Sequence, residues 1–263
     1  MFSGKNDKVD QLVNTEGPMQ VELRPAPIVR MLGVTAIVAA IIVSINAALQ
    51  SLPNFEALMR DSSWVAADLV HIPQFVIPFV LICWITKGRL GEYGFNLKQK
   101  PPVFTHRRML GLGALFGLLM SVRYISPISR NIPVDIPQPV TLVNVLGNMT
   151  FQWIVVGLSE ETMFRGLIQT YLMKNLRGYI KIFGHDLHIG TVIGAIIWGM
   201  FHFINILVMP MGSVVFTVVL TTVAGLGMGY AYQKTGSLLT TILVHNTMFG
   251  VPLTIGYIIY WLL

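Results

Sequence analysis

The sequence predicts an all-α membrane protein, a polytopic bundle of about seven transmembrane helices. Composition predicts the class: 54% of the 263 residues are hydrophobic and only 11% charged, where a soluble domain carries about 25% charge. Apolar runs near the ~20 residues that cross a ~30 Å hydrocarbon core predict the elements. Basic residues grouped in alternate connections predict how the bundle sits. Together these exclude a soluble enzyme, a disordered chain and a disulfide scaffold. The single cysteine, Cys83, lies in an apolar run and reads as packing.

Residues 1–27 are polar and mixed in charge and read as a flexible cytoplasmic tail, which leaves 28–263 as one membrane domain. The expected spans are 29–52, 64–86 (bent by Pro73 and Pro78), 109–125, 148–173, 190–208, 213–232 and 238–262. The fourth lies in an apolar stretch, 140–173, too long for one plain span, so an interfacial turn is expected before residue 148. Residues 131–137, with two prolines, read as a loop. Gly113-x-x-x-Gly117 and Gly225-x-x-x-Gly229 let helices approach closely inside the bundle.

The net charge is +6, but the basic residues sit in short clusters between apolar runs, so they read as orientation signals and not as a nucleic-acid surface. Lys87, Arg89, Lys98, Lys100, Arg107 and Arg108 fall between spans two and three. Lys174, Arg177 and Lys181 follow span four, and Lys234 lies between spans six and seven. The opposite connections hold only Arg60, Arg123 and Arg130. The bias places the N-terminus in the cytoplasm and, with seven spans, the C-terminus outside.

Charge inside the membrane marks the candidate site. Glu160, Glu161 and Arg165 fall within six residues of span four, where each unpaired charge costs about 2.5–3.5 kcal/mol at the bilayer centre. Glu161 and Arg165 are four apart and share a helical face, so they are expected to pair. Glu160 is turned ~100° away and is the carboxylate left to accept a proton from water. His202 in span five and His245 in span seven complete the set. Counted at ~1.5 Å per residue from the cytoplasmic ends, Glu160 lies ~20 Å deep, His202 ~18 Å and His245 ~12 Å. All three can therefore reach one cavity, expected to open to the cytoplasm. Two imidazoles and a free carboxylate suit activation of water with stabilisation of an oxyanion, and equally suit a metal site.

The order Glu160-Glu161-x-x-x-Arg165, then aromatic-x-x-x-His202, then His245 on successive late spans resembles the CPBP family. These are the CAAX-prenyl-protease and bacteriocin-processing intramembrane endopeptidases, also called the ABI family. The resemblance covers roughly 140–250. It implies hydrolysis of a peptide bond near the cytoplasmic membrane face, with Glu160 as base for water and Glu161 and Arg165 completing the first motif. It implies that His202 orients the water and that His245 binds the oxyanion or substrate carbonyl. A divalent metal such as zinc, held by Glu160, His202 and His245, and a metal-free glutamate mechanism both stay open. The implied partners are membrane lipid and a peptide or lipidated-protein substrate.

Two positions depart from the family pattern. Trp198 stands where Phe is usual, and Phe249 stands where Asn or Asp is expected four residues after His245. Asn205 and Asn246 are the remaining candidate amide donors to an oxyanion. Other protease types lack their motifs: the chain has no His-Glu-x-x-His and no Gly-x-Gly-Asp, and Ser159, in a Gly-x-Ser, precedes Glu160 instead of Gly or Ala. A proton-coupled transporter and a catalytically silent scaffold or immunity protein of the same fold are the alternative functions. Asp68 and His71 are expected to pair as a structural couple toward the outer side, away from the site. His106, His185 and His188 are expected at the solvated or interfacial cytoplasmic segments.

Overall fold

The computed structural model describes residues 21–98, 101–124 and 138–262. Most of the expected N-terminal tail and the whole 131–137 loop lie outside the described residues. Among the described residues, seven helices form the bundle: α1 Pro25–Gln50, α2 Phe55–Thr86, α3 His106–Ser121, α4 Leu142–Asn175, α5 Ile189–Phe201, α6 Met211–Thr235 and α7 Leu238–Leu262. A 3-10 turn, His202–Leu207, extends α5. Among the described residues, six helices, counting α5 with its 3-10 extension, are long and apolar enough to cross a membrane. α3 is shorter at 16 residues, or ~24 Å of helix. The outward faces of α3 and α6 carry exposed Leu115, Leu118, Phe216 and Val219, the surface expected of helices solvated by lipid tails.

α4 is the central element and touches α1, α2, α5, α6 and α7. The interfacial turn expected before residue 148 is absent. Leu142–Asn175 runs as one helical element of 34 residues. Two widened stretches of π-helix, Phe151–Val155 and Thr162–Gln169, lie within it and flank the α-helical Val156–Glu161. Such widened turns shift backbone groups out of the regular ladder, and side chains take them up. The Thr170 hydroxyl donates to Arg165 O at 3.0 Å, five residues back.

α2 begins nine residues before the expected span because the chain kinks instead of ending. Ser62 is non-helical (φ −157°, ψ 49°). Asn144 at the start of α4 holds the kink: its Nδ2 donates to Asp61 O at 2.6 Å, and its Oδ1 accepts the Trp64 indole N–H at 3.0 Å. The small-residue motifs do the packing expected of them. A side chain at Gly113 or Gly117 would collide with Thr247 or Val251 of α7, and one at Gly225 with Trp198 of α5.

One end of the bundle is tied together by polar contacts. Asn96 Nδ2 donates to Gly236 O at 2.7 Å and Ser237 Oγ to Asn96 O at 2.6 Å, joining the α2–α3 connection to the α6–α7 turn. Lys174 reaches Glu92 at 3.2 Å. Hydrogen bonds from Arg89 and Lys174 hold the Glu92 carboxyl below the usual glutamate range. Between α4 and α5 lies a two-stranded antiparallel hairpin, β1 Tyr179–Ile182 and β2 His185–His188. No element is expected there from the sequence, because four-residue strands beside long spans leave little periodicity. His188, expected to be solvated or interfacial, is buried, and its Nδ1 caps α5 by accepting the Gly190 N–H at 3.0 Å. Burial pushes that imidazole below the usual histidine range, as an acceptor nitrogen requires. Lys87, Arg89, Lys98, Arg107, Arg108, Lys174, Arg177, Lys181 and Lys234 all sit at this end.

Asn144→Ala should lower stability by about 1–3 kcal/mol, because it strands the Trp64 indole and the Asp61 carbonyl. A melting temperature in detergent equal to that of the unaltered protein would show that the kink needs no such support.

Candidate active site

Glu160 and Glu161 project from the short α-helical stretch of α4 in different directions, as their ~100° separation requires. Glu161 is fully buried and pairs with Arg165, whose Nη1 lies 3.0 Å from Glu161 Oε1. This is the pairing that the four-residue spacing predicts. The same oxygen lies 2.9 Å from His245 Nδ1. The three residues therefore form one line, guanidinium to carboxylate to imidazole. It is not a bidentate pair: Glu161 Oε2 and Arg165 Nη2 have no partner among the described residues. The guanidinium also lies over the Trp198 ring, 3.9 Å from its centroid, a cation–π contact.

Trp198 reaches the other glutamate as well. Its indole N–H donates to Glu160 Oε2 at 2.7 Å. The Phe usual at this position in the family resemblance has no such donor. The departure thus adds a hydrogen bond that fixes the carboxylate, and bonds to ionised groups are the stronger kind.

The remaining oxygen of Glu160 faces a residue that the sequence placed elsewhere. His71 Nε2 lies 3.8 Å from Glu160 Oε1. No hydrogen bond or ion pair joins Asp68 and His71 among the described residues, where Asp68 Oδ1 has no partner, although the two lie near enough to interact electrostatically. The error came from helix length. Counted from residue 64, His71 sits only ~10 Å along the span, but from the true start at Phe55 it sits ~24 Å along. An ionisable side chain inside a span was the available signal.

His71 and His202 are held alike. Each carries a proton on Nδ1 and donates it to a carbonyl four residues back, Ala67 O at 2.7 Å and Trp198 O at 2.9 Å. Nε2 is the nitrogen left for chemistry in both. His71, His202 and His245 all lie near enough to Glu160 to interact electrostatically with it.

Glu160, His71 and His202 line a cavity of about 360 Å³ together with Asn205 and Gln74. His245 and Asn246 are not among its lining residues. Asn246 is committed to α4: its Oδ1 accepts the Gly157 N–H at 2.8 Å, and Nδ2 reaches Ile154 O at 3.4 Å. Of the two candidate amides, Asn205 is the one that faces the cavity. Phe249 packs its ring 5.3 Å from that of His245.

Among the described residues, no three His, Cys, Asp or Glu side chains converge as metal ligands. In the set Glu160, His202 and His245, Glu160 Oε2 is bonded to Trp198 and His245 Nδ1 to Glu161. The atoms these bonds leave for a divalent metal are Glu160 Oε1 and the Nε2 atoms of His202 and His245, and the described residues do not bring them together as a ligand set.

The cavity also departs from its expected direction. It was expected to open toward the basic end, but it runs the other way, along Gln74, His71, Ala67, Ser63 and Met59 of α2. The physical reason lies in packing. Every residue from 161 to 170 of α4 is buried, and Phe164, Leu167 and Ile168 close the bundle with Ile82, Tyr93 and Met228 on the basic side of Glu160.

Residues 142–249 match the family model described as type II CAAX prenyl endopeptidase, Rce1-like. Comparison with curated proteins and with solved structures gave no match. The matched segment contains Glu160, Glu161, Arg165, Trp198, His202 and His245, but not α2 and its His71.

Arg165→Ala should cost about 3–5 kcal/mol, because it leaves Glu161 buried without its cation; an unshifted thermal melt would remove the pairing as a source of stability. Asn246→Ala should lower the melt by about 1–3 kcal/mol, the cost of an orphaned Gly157 N–H, and should reduce turnover less than His245→Ala. The reverse ranking in turnover would mean that Asn246 meets the substrate.

Proposed function

Since residues 142–249 belong to the Rce1-like type II CAAX prenyl endopeptidase family, we propose that this multi-pass membrane protein is an intramembrane endopeptidase in which Glu160 activates the attacking water. The observation that carries the reading is the pair of unlike carboxylates on α4. Glu161 is neutralised by Arg165 and bonded to His245, while Glu160 faces a cavity beside two imidazoles.

Glu160 Oε1 takes a proton from water as the water oxygen bonds to the peptide carbonyl carbon. Trp198 on Oε2 keeps the carboxylate from turning away. Negative charge then develops on the carbonyl oxygen, where His202 and the Asn205 amide are placed to stabilise it. Collapse breaks the C–N bond, and the proton held by Glu160 passes to the leaving amine. His245 acts from the neighbouring face. Its Nδ1 is held by Glu161, which fixes the orientation of the ring. Arg165 and Glu161 are positioning residues and Glu160 is the catalytic base. The chain holds its N-terminus in the cytoplasm and its C-terminus outside, as the basic connections imply.

Glu160→Gln keeps the size of the side chain and its acceptor for Trp198 but removes the base. Turnover should fall to background while the melt stays within about 1 kcal/mol of the unaltered protein. Protein termini compared between membranes carrying either form should include new ones that vanish in the variant. Identical termini at matched expression would favour transport or a silent scaffold over hydrolysis.

A further inference from the structure

We infer that substrate reaches Glu160 from the end of the bundle opposite the basic loops, which the charge bias makes the extracytoplasmic side, through a cleft between α1, α2 and the 201–208 segment. Two independent observations carry this.

The first is the sealed half. From Glu160 toward the basic end, α4 is buried on all sides over residues 161–170. Phe164 and Leu167 are 1% and 0% exposed. Polar contacts reinforce the seal: Gln169 donates to Gly229 O at 2.8 Å and to Thr191 at 3.0 Å, and Thr170 meets the Tyr232 hydroxyl at 2.6 Å. Beyond them, the Asn96–Gly236 and Ser237–Asn96 bonds clamp one connection over another. A peptide arriving from this end would have to break a packed core.

The second is the open half. The cavity runs from Glu160 and Gln74 along one face of α2 to Met59, a span of fifteen residues or ~22 Å of helix. Asn46 of α1 and Val208, just past the 3-10 extension, line its outer part. Both lie within a few residues of the 51–54 and 208–210 connections, which carry no basic residue.

The lining states what passes through. Ile42, Val70 and Phe201 supply apolar wall, and Asn46, Ser63 and Asn205 supply polar groups at intervals along it. That combination suits an apolar peptide unwound over a few residues, whose bare N–H and C=O groups need partners away from water. Gln74, at the inner end and 2% exposed, has an Nε2 without a partner among the described residues. The substrate class is therefore a membrane-inserted or exported peptide presented from the outer side. What passes through the cleft rests on the hydrolase reading, but the side on which it opens does not.

The test uses the full chain in intact cells. With Cys83→Ser as background, Met59→Cys, Ser63→Cys and Val208→Cys probe the cleft, and Lys234→Cys the basic end. A charged, membrane-impermeant methanethiosulfonate should label the three cleft positions in intact cells and Lys234→Cys only after permeabilisation. Three positions guard against one variant failing to fold. Cleft cysteines that react only after permeabilisation, or not at all in either condition, would overturn the inference. In the same variants the adduct at Ser63→Cys should abolish peptide turnover, and dithiothreitol should restore it. Undiminished turnover with the adduct in place would also overturn the route. Absence of turnover before labelling would instead count against the hydrolase reading, leaving the sidedness result to stand by itself.

Discussion

Arg165 places a permanent charge at a position 2% exposed, inside a helix surrounded by lipid-facing neighbours. That charge has to be compensated within the protein, because neither water nor lipid tails can do it. Glu161 supplies the opposite charge at 3.0 Å and Trp198 supplies a π-face at 3.9 Å. Each of these partners is then fixed, and each holds something further. Glu161 holds His245 on α7, and Trp198 on α5 holds Glu160 back on α4. One buried cation thus sets the rotamers of two residues on two other helices. Replacing such an ion pair with apolar residues need not destabilise a protein. Its value here is geometric: it fixes which carboxylate is neutralised and which is left to face the cavity.

The same centre divides the bundle into unequal halves. Toward the basic loops, the residues of α4 pack against α2, α5 and α6 with almost nothing exposed. Away from them, α2 turns small and polar side chains (Ser63, Ala66, Ala67) toward the cavity. Small residues leave space that large ones would fill, and in lipid such space is kept only where the surrounding helices are pinned. The pins are visible: Asn144 ties the kink of α2 to the start of α4, and Asn246 ties α7 to α4 at Gly157. A side chain on Gly157 would overlap the Asn246 amide. The widened turns of α4 lie on either side of the glutamates.

The sequence revealed the charges and their pairing more readily than their surroundings. Glu161 and Arg165 were legible because an i,i+4 spacing on any helix puts two side chains on one face. The spans were legible because lipid imposes a length. His71 was not, because its depth depended on where α2 begins, and the kink at Ser62 hides that start from an apolar window. The direction of the cavity was missed for a different reason. Depth along a helix axis locates a residue but says nothing of which neighbours fill the space above and below it. Asn246 was legible as an amide near His245. That it would serve the backbone of α4 depended on a widened turn, and no residue in Phe151–Val155 announces one.

Phe249 sharpens what the site must do without. An amide four residues beyond His245 would have offered a neutral donor to the oxyanion; Phe249 offers a ring against His245, and Asn246 is engaged elsewhere. The stabilising groups left are imidazoles and Asn205. In a low-dielectric site the cost of reaction is set by how far charge moves and by whether its compensation is already in place. Before attack, negative charge sits on Glu160, with His71 3.8 Å away and His202 and His245 close by. In the proposed mechanism, Glu160 loses its charge as it takes the proton from water, and an equal charge appears on the carbonyl oxygen. The groups that faced the carboxylate then face the oxyanion without moving. The net charge of the site is unchanged by the step, so a ring of histidines around one glutamate can take the place of the missing amide.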